Sequence, residues 1–378
     1  MDFRLTDEQQ LWKDTLQAFM EKEVGREYTR EHDESREFPE EAYRKIADRG
    51  WLGLLVPEKL GGLDADPVMY AIFCEAMAKF SLDFAACVMT SMFTATNIAH
   101  HGTDEQKETY LPGFLTGDTK FSVSISEPGA GSDAAAVATK AELRDGEWVL
   151  NGNKTWCSGA HLPGTVITIL ARTGPDRHRG MSLILVPNTT PGVDIRKLNT
   201  IVRRSLGTTE IFLTDAKVPE GNIIGGPGDG WALIKGHLEW ERLSLAASYV
   251  GNARTALDDT VAYTKGRTQF GKPLSSFQVL KHRMAENECE VQAASLLVYN
   301  AATKMARGER AVKEVSMAKV FAADVAFKTS FNGMQALGGY AQLPEYDMER
   351  YFREAKHAMV GGGASEIQRS IIAKEMGI

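Results

Sequence analysis

Several short segments combine residues able to do chemistry with spacings that present them together. Leu238-Glu239-Trp240-Glu241-Arg242-Leu243-Ser244-Leu245 sets a carboxylate among apolar neighbours. At helical spacing Ile234, Leu238, Glu241 and Leu245 share one stripe, which predicts a buried helix face. A carboxylate there is costly unless paired or used, and desolvation raises its proton affinity, as a general base near neutral pH requires. Taken alone, the segment is better accounted for by a structural ion pair with Arg242 or with a lysine of another helix. Ser126-Glu127-Pro128-Gly129-Ala130-Gly131-Ser132-Asp133 is a glycine-broken loop. Its amides and hydroxyls suit a phosphate or polar ring edge, or simply a tight solvent turn. In Asn153-Lys154-Thr155-Trp156-Cys157-Ser158-Gly159, Trp156 offers a face to a planar ring and Ser158 a hydrogen bond, although the segment taken alone reads first as holding a core tryptophan. Arg267-Thr268-Gln269-Phe270-Gly271 joins a pyrophosphate-binding type of side chain to an aromatic, and also fits a helix C-terminus with a cation at its negative end. Gln335-Ala336-Leu337-Gly338-Gly339 and Gly361-Gly362-Gly363-Ala364-Ser365-Glu366 are glycine-rich breaks. The second opens a helix near Ser365, whose first amides can meet an anion or a carbonyl.

The elements that must hold these segments run in the order helical, β, helical. Thr6 and Gln9 form a capping box, after which Trp12, Leu16, Phe19 and Met20 recur on one face. Pro39 suits the first turn of a second helix and Gly50 its stop. Residues 68–100 read as one long buried helix, and Thr103 with Gln106 caps another. Near Lys120 the pattern changes to period two. Short runs at Phe121–Ser126, Glu147–Leu150, Thr165–Leu170, Met181–Val186 and Glu210–Leu213 read as strands, with Asn151-Gly152 as a hairpin turn. Gly225-Gly226-Pro227-Gly228 marks a hinge. Beyond it, helices are expected over about 231–265 and 276–307, from about Ala311, and after Ser365, as in an antiparallel bundle.

Of 378 residues, 43% are hydrophobic and 25% charged, which excludes a wholly disordered or low-complexity chain. The net charge of −7 and the lack of a Lys/Arg run argue against a nucleic-acid partner. No run of about 18 wholly apolar residues suggests a membrane span, and the N-terminus lacks the basic-then-apolar plan of a secretory signal, so an intracellular location is expected. Cys74, Cys87, Cys157 and Cys289 are far apart and read as buried thiols. The histidines show no ligand spacing, and no metal is expected.

Taken together and in order, the segments resemble the acyl-CoA dehydrogenase family of flavoproteins across nearly the whole chain. Ser126–Asp133 is similar to its SEPGAGSD signature, Asn151-Gly152-Asn153-Lys154 with Trp156 to its NGxKxW segment, and Arg267–Gly271 to RxxFG. Gln335–Gly339 resembles its QxLGG loop, and Ile367-Gln368-Arg369 its final helix. The resemblance implies an α+β chain: an N-terminal helical domain (1–119), a middle β-barrel or sandwich (120–225) and a C-terminal four-helix bundle (226–378). It further implies FAD at the junction of the β unit and the bundle, an acyl-CoA thioester substrate, electron-transfer flavoprotein as electron acceptor, and a homotetramer. The location would be cytoplasmic, or the mitochondrial matrix for a processed chain. Val123, Ser126, Trp156 and Ser158 would touch the flavin ring. Arg267, Gln269, Phe270, Gln278, Gln335, Gly338 and Gly339 would hold the rest of FAD, with Ala364 and Glu366 also near it. Ser132, Glu239, Arg242 and Gly363 would meet the substrate.

The family chemistry needs a base for the α-proton while the β-hydrogen leaves as hydride to flavin N5. Many members carry a Glu in a loop resembling YEGTxxIQR, where this chain has Gly362. A smaller set, resembling isovaleryl-CoA, long-chain and crotonobetainyl-CoA dehydrogenases, carries the base on the helix in a pattern like ExER, and Glu241 matches that place. Glu366 is the fallback carboxylate. Ala364, where Thr is common, and Leu206, where Ser or Asn is usual, depart from the pattern. Two other readings stay open: a related flavoenzyme such as an enoyl-CoA reductase, desulfinase or oxidase, and a non-catalytic flavin-binding relative. Short, branched or cyclic acyl groups are the expected substrates.

Overall fold

The computed structural model describes residues 4–378. The N-terminal helices are α1 (Asp7–Phe19), α2 (Gly25–Ser35), α3 (Glu40–Asp48), α4 (Pro67–Met77), α5 (Leu82–His101) and α6 (Asp104–Leu115). Both capping boxes form. Thr6 Oγ1 accepts from Gln9 N at 3.2 Å while Gln9 returns a bond to Thr6 N, and Thr103 and Gln106 repeat the arrangement. Leu16, Phe19 and Met20 are buried, as their spacing predicts. Pro39 caps α3 one position earlier than expected, and Gly50 follows in left-handed backbone. The long helix expected over 68–100 is two helices, α4 and α5. α5 is long and apolar enough to cross a membrane, although no wholly apolar run exists. However, 83% of its apolar window lies buried inside the fold, so core packing explains its composition.

The strands are β1 (Lys120–Ser124), β2 (Lys140–Arg144), β3 (Glu147–Ser158), β4 (Thr165–Arg172), β5 (Met181–Pro187), β6 (Val193–Leu198), β7 (Thr208–Pro219) and β8 (Ile223–Ile224). They form one eight-stranded sheet in the order β6-β7-β3-β2-β4-β5-β8, with β1 parallel to β4. Trp148, Leu150, Ile167, Ile169, Ile184 and Ile211 form part of its core. Asn151-Gly152 is not the hairpin turn. The turn is Asp145-Gly146, with φ of 51° and 80°, and Arg144 pairs with Glu147 across it. Asp-Gly satisfies the two left-handed positions as well as Asn-Gly does. Gly152 instead sits mid-strand at a register shift, where a Cβ would lie 2.4 Å from Thr139 Oγ1.

The C-terminal bundle contains α7 (Gly230–Gly266), α8 (Gln278–Ala306), α9 (Val312–Leu337), α10 (Met348–Ala358) and α11 (Ser365–Glu375). A small hairpin of β9 (Thr268–Gln269) and β10 (Lys272–Pro273) joins α7 to α8. By its internal contacts the chain falls into two compact units. One holds residues up to Ser35, Asp66–Ala85 and Glu241–Ile378; the other holds Arg36–Ala65 and Ala86–Trp240. The division falls inside α7, between Trp240 and Glu241. Cys74, Cys87 and Cys157 are buried as expected, but Cys289 is exposed.

Candidate functional site

In the sheet-containing unit, two of the motifs are bound to each other by a buried ion pair. Lys154 Nζ, fully excluded from solvent, lies 2.9 Å from Glu127 Oε1 and 3.0 Å from the carbonyl of Ile125. Glu127 also accepts from the amides of Ala138 and Thr139 at 2.7 and 2.9 Å. Burial would raise the Glu127 carboxyl, but Lys154 and these donors outweigh it and hold it below the usual carboxylate range. The pair fixes the course of the chain from Ser126 to Ala138. Thr155 N then donates to Ser126 O at 3.0 Å, and Ser122 Oγ to Ser158 O at 2.7 Å. Val123, Ser126, Trp156 and Ser158 are thereby collected around the β1–β3 neighbourhood. Trp156 occupies the shift between Lys154 and Cys157, with φ of 62° and 63% of its surface exposed. A bulky residue in left-handed backbone is strained, and exposure removes the core-packing explanation. Ser132 is exposed near the loop tip, beside Asp133, which pairs with Arg177. Glu239 is half-buried on α7.

Leu206 is explained by packing in this unit. It is 2% exposed, clusters with Ala86, Cys87 and Leu162, and lies 3.0 Å from where a Cβ on Gly159 would be. A serine or asparagine there would be a buried polar group in an apolar cluster.

In the other unit, Arg267, Gln269, Gly338 and Gly339 line one cleft of about 400 Å³ with Tyr263, Leu274 and Tyr340. The Arg267 guanidinium lies 5.4 Å from the centre of the Tyr340 ring. Gly338 ends α9 at φ 62°, ψ −133°, a conformation open essentially to glycine alone. A Cβ on Gly338 or Gly339 would meet open space. Phe270 tops the β9–β10 hairpin at φ 51° and is 91% exposed. Neither Phe270 nor Gln278, an exposed residue at the start of α8, lines the cleft, and Gln335 is exposed one residue before it.

Glu241 also belongs to this unit and is half-buried, a less enclosed position than the stripe pattern predicts. The fully buried face of α7 is instead formed by Leu243, Ala246, Ala247 and Val250. The glycine loop before α11 passes directly against the Glu241 stripe. A Cβ built on Gly362 would lie 3.7 Å from Glu241 Oε1 and 2.2 Å from Leu245 Cδ1. The side chain missing from the loop and the carboxylate present on the helix therefore address the same volume. Gly362 and Gly363 both have positive φ, of 64° and 91°. Gln368, fully buried, donates to their carbonyls at 3.2 Å each. Arg242 is buried, Glu366 is exposed in the first turn of α11, and Ala364 is its N-cap with no side-chain cap bond. Motif reading gave no role to the Glu127–Lys154 pairing or to Lys319 and placed Leu245 only on the Glu241 stripe, although Glu127, Lys154 and Leu245 all stand inside the quoted segments.

A separate acidic group lies in this same unit. Asp33, Asp83 and Glu354 bring one oxygen each within 4.8 Å of one another. Asp33 is paired with Arg353, and Glu354 accepts from Ser81 Oγ and Leu82 N at 2.9 and 2.7 Å, so it caps α5.

Three family models match this chain: the N-terminal domain of acyl-CoA dehydrogenase over residues 6–118, its middle domain over 122–216 and its C-terminal domain over 228–377. The chain belongs to the acyl-CoA dehydrogenase family. It is 36% identical to the probable acyl-CoA dehydrogenase YngJ of Bacillus subtilis, over 100% of both chains. It is 35% identical to the caffeyl-CoA reductase-Etf complex subunit CarC of Acetobacterium woodii, over 94% of each. The solved FAD complex of PigA superposes with a TM-score of 0.95 at 26% identity, over 100% of this chain and 99% of that one.

Proposed function

We propose that this protein is an FAD-dependent acyl-CoA dehydrogenase in which Glu241 removes the α-proton of an acyl-CoA thioester, yielding the trans-2-enoyl-CoA. The observation that carries this reading is the shared volume at Gly362. A side chain on Gly362 would meet Leu245 Cδ1 at 2.2 Å unless Leu245 turned aside, and it would stand in left-handed backbone, while Glu241 Oε1 lies 3.7 Å from that Cβ position.

The residues present fit FAD. Gly339 has neither positive φ nor a crowded Cβ position, so nothing inside the chain demands glycine, whereas a group lying flat on the backbone would. Arg267 in the same cleft suits the pyrophosphate, with Gln269 and Gly338 beside it. Trp156 and Phe270, exposed aromatics in strained backbone, suit contact with ring systems, and Ser126 and Ser158 suit hydrogen bonds to the flavin edge. Bound FAD supplies the hydride acceptor, N5. The chain itself orients the thioester, excludes water from the reacting carbons and supplies the base. Amides near Glu366, at the start of α11, suit polarisation of the thioester carbonyl, which makes the α-proton acidic enough to remove.

Electron-transfer flavoprotein as redox partner is supported by the Etf-linked reductase subunit among the relatives. That relative also supports a second reading, in which the physiological direction is reduction of an enoyl-CoA. A homotetramer is supported by the exposed apolar side chains Phe270, Val279 and Phe331. The test is anaerobic titration of the FAD-loaded protein with straight, branched and aryl acyl-CoAs, followed by flavin absorbance. Bleaching by an acyl-CoA and its loss in Glu241→Gln with FAD retained is the expected result. Full bleaching in that variant rejects Glu241 as base. Re-oxidation of reduced protein by enoyl-CoA, with no bleaching by any saturated acyl-CoA, favours the reductase.

A further inference from the structure

Lys319 is a cation with no expected place in the core. It sits on α9 with 0% of its surface exposed. Its ammonium donates to the carbonyl of Ala358 at 2.9 Å and to that of Gly363 at 2.8 Å. Those carbonyls stand at the two ends of the glycine loop, one closing α10 and the other two residues before α11. The loop is thus clasped at both ends by one side chain, in the stretch where Gly362 faces Glu241 and Leu245.

A neutral donor would serve a purely mechanical tie, and one is already present. The Gln368 amide reaches the same Gly363 oxygen at 3.2 Å. Burying a full charge against two neutral carbonyls is costly without an opposite charge nearby. The electrostatics supply one. Burial pulls the Lys319 ammonium down to about 8, and the strongest influence in the other direction is the carboxylate of Glu241. Arg242, next to it on α7, opposes the ammonium, while Asp324 on α9 and Glu366 on α11 support it.

We propose that Lys319 is a positioning residue for proton abstraction: its ammonium fixes both ends of the glycine loop against α7 and keeps Glu241 ionised until substrate arrives. The role in abstraction rests on Glu241 being the base; the coupling between the two charges does not.

The test uses the FAD-loaded protein and a diazoacetamide, which esterifies carboxyls only in their protonated form. Peptide mass spectrometry then gives the pH midpoint at which Glu241 labels. In Lys319→Met and Lys319→Gln that midpoint is expected to rise by about one pH unit, while the exposed Glu220 keeps its own. The acidic limb of the kcat/KM profile should move by the same amount, with kcat falling about tenfold or more and KM little changed. Lys319→Gln retains a hydrogen-bond donor, so it separates loss of charge from loss of the tie and stands in if the methionine variant does not fold. If neither the labelling midpoint nor the acidic limb moves in Lys319→Gln, the proposal is overturned. A shifted midpoint together with wild-type turnover in Glu241→Gln keeps the charge coupling and removes the base.

Discussion

Moving the base from helix to loop is the perturbation that probes the Gly362 geometry most sharply. In the variant Glu241→Gly with Gly362→Glu, the new Cβ would lie 2.2 Å from Leu245 Cδ1, about 1.2 Å inside the 3.4 Å at which ordinary contact begins. It would also hold a non-glycine residue at φ 64°. The left-handed backbone costs about 1–2 kcal/mol and overpacking about 1–3 kcal/mol, a combined loss of about 2–5 kcal/mol. Denaturation of the FAD-loaded double variant should show that loss, and acyl-CoA should bleach its flavin at least about 100-fold more slowly than wild type. Adding Leu245→Ala removes the clash and leaves the backbone strain. The triple variant should regain the packing part, about 1–3 kcal/mol, and reduce flavin at least tenfold faster than the double. A double variant as stable and as active as wild type, or a triple variant no better than the double, would refute the claim that Leu245 and Glu241 together fill the loop carboxylate's place.

Two further outcomes follow from buried charges. Lys154→Met leaves Glu127 buried without its cation; a stability loss of about 3–5 kcal/mol is expected, with weaker FAD retention measured by gel filtration, and an unchanged melting temperature would contradict it. Burial pushes the Glu354 carboxyl from 4.5 up to about 7, opposed mainly by Arg350. Because the folded state favours the protonated form, this contribution is fully present below about 4.5 and is lost as pH rises through about 7. Wild-type melting temperature should therefore fall between pH 5 and 8 relative to that of Glu354→Gln, by the equivalent of about 3 kcal/mol, and parallel curves for the two proteins would rule this out.

The motif segments stand out in the sequence by their clustered glycines and aromatics, while the backbone and exposure that set those residues apart emerge only in three dimensions. Gly338 occupies a conformation closed to other residues, and Trp156 and Phe270 are exposed where apolar residues usually pack. What stayed hidden was whatever depends on a partner distant in sequence. Helix α10 went unread because Arg350 and Glu354 look like surface residues, yet they are 1% and 3% exposed and held by the Phe80 carbonyl and the start of α5. Asn151-Gly152 and Asp145-Gly146 are equivalent turn signals, and only cross-strand pairing with β2 and β7 decides between them. The departure at Leu206 is likewise resolved by its packing around Gly159 and Cys87 rather than by any motif. Residue type and spacing single out the carboxylate at 241 and place Leu245 on its stripe, and the family resemblance suggests the base role; Lys319 and the approach of Gly362 needed coordinates, because α7, α9 and the loop before α11 meet only in three dimensions.

The central claim is that Glu241 takes the proton, and exchange of the substrate's α-hydrogen with solvent isolates that event from hydride transfer. The FAD-loaded protein, incubated in deuterium oxide with the acyl-CoA that bleaches its flavin fastest, should place deuterium at the α-carbon, read by mass spectrometry. Glu241→Gln, with FAD still bound, should do so at least about 100-fold more slowly; exchange at the wild-type rate in that variant would contradict the account.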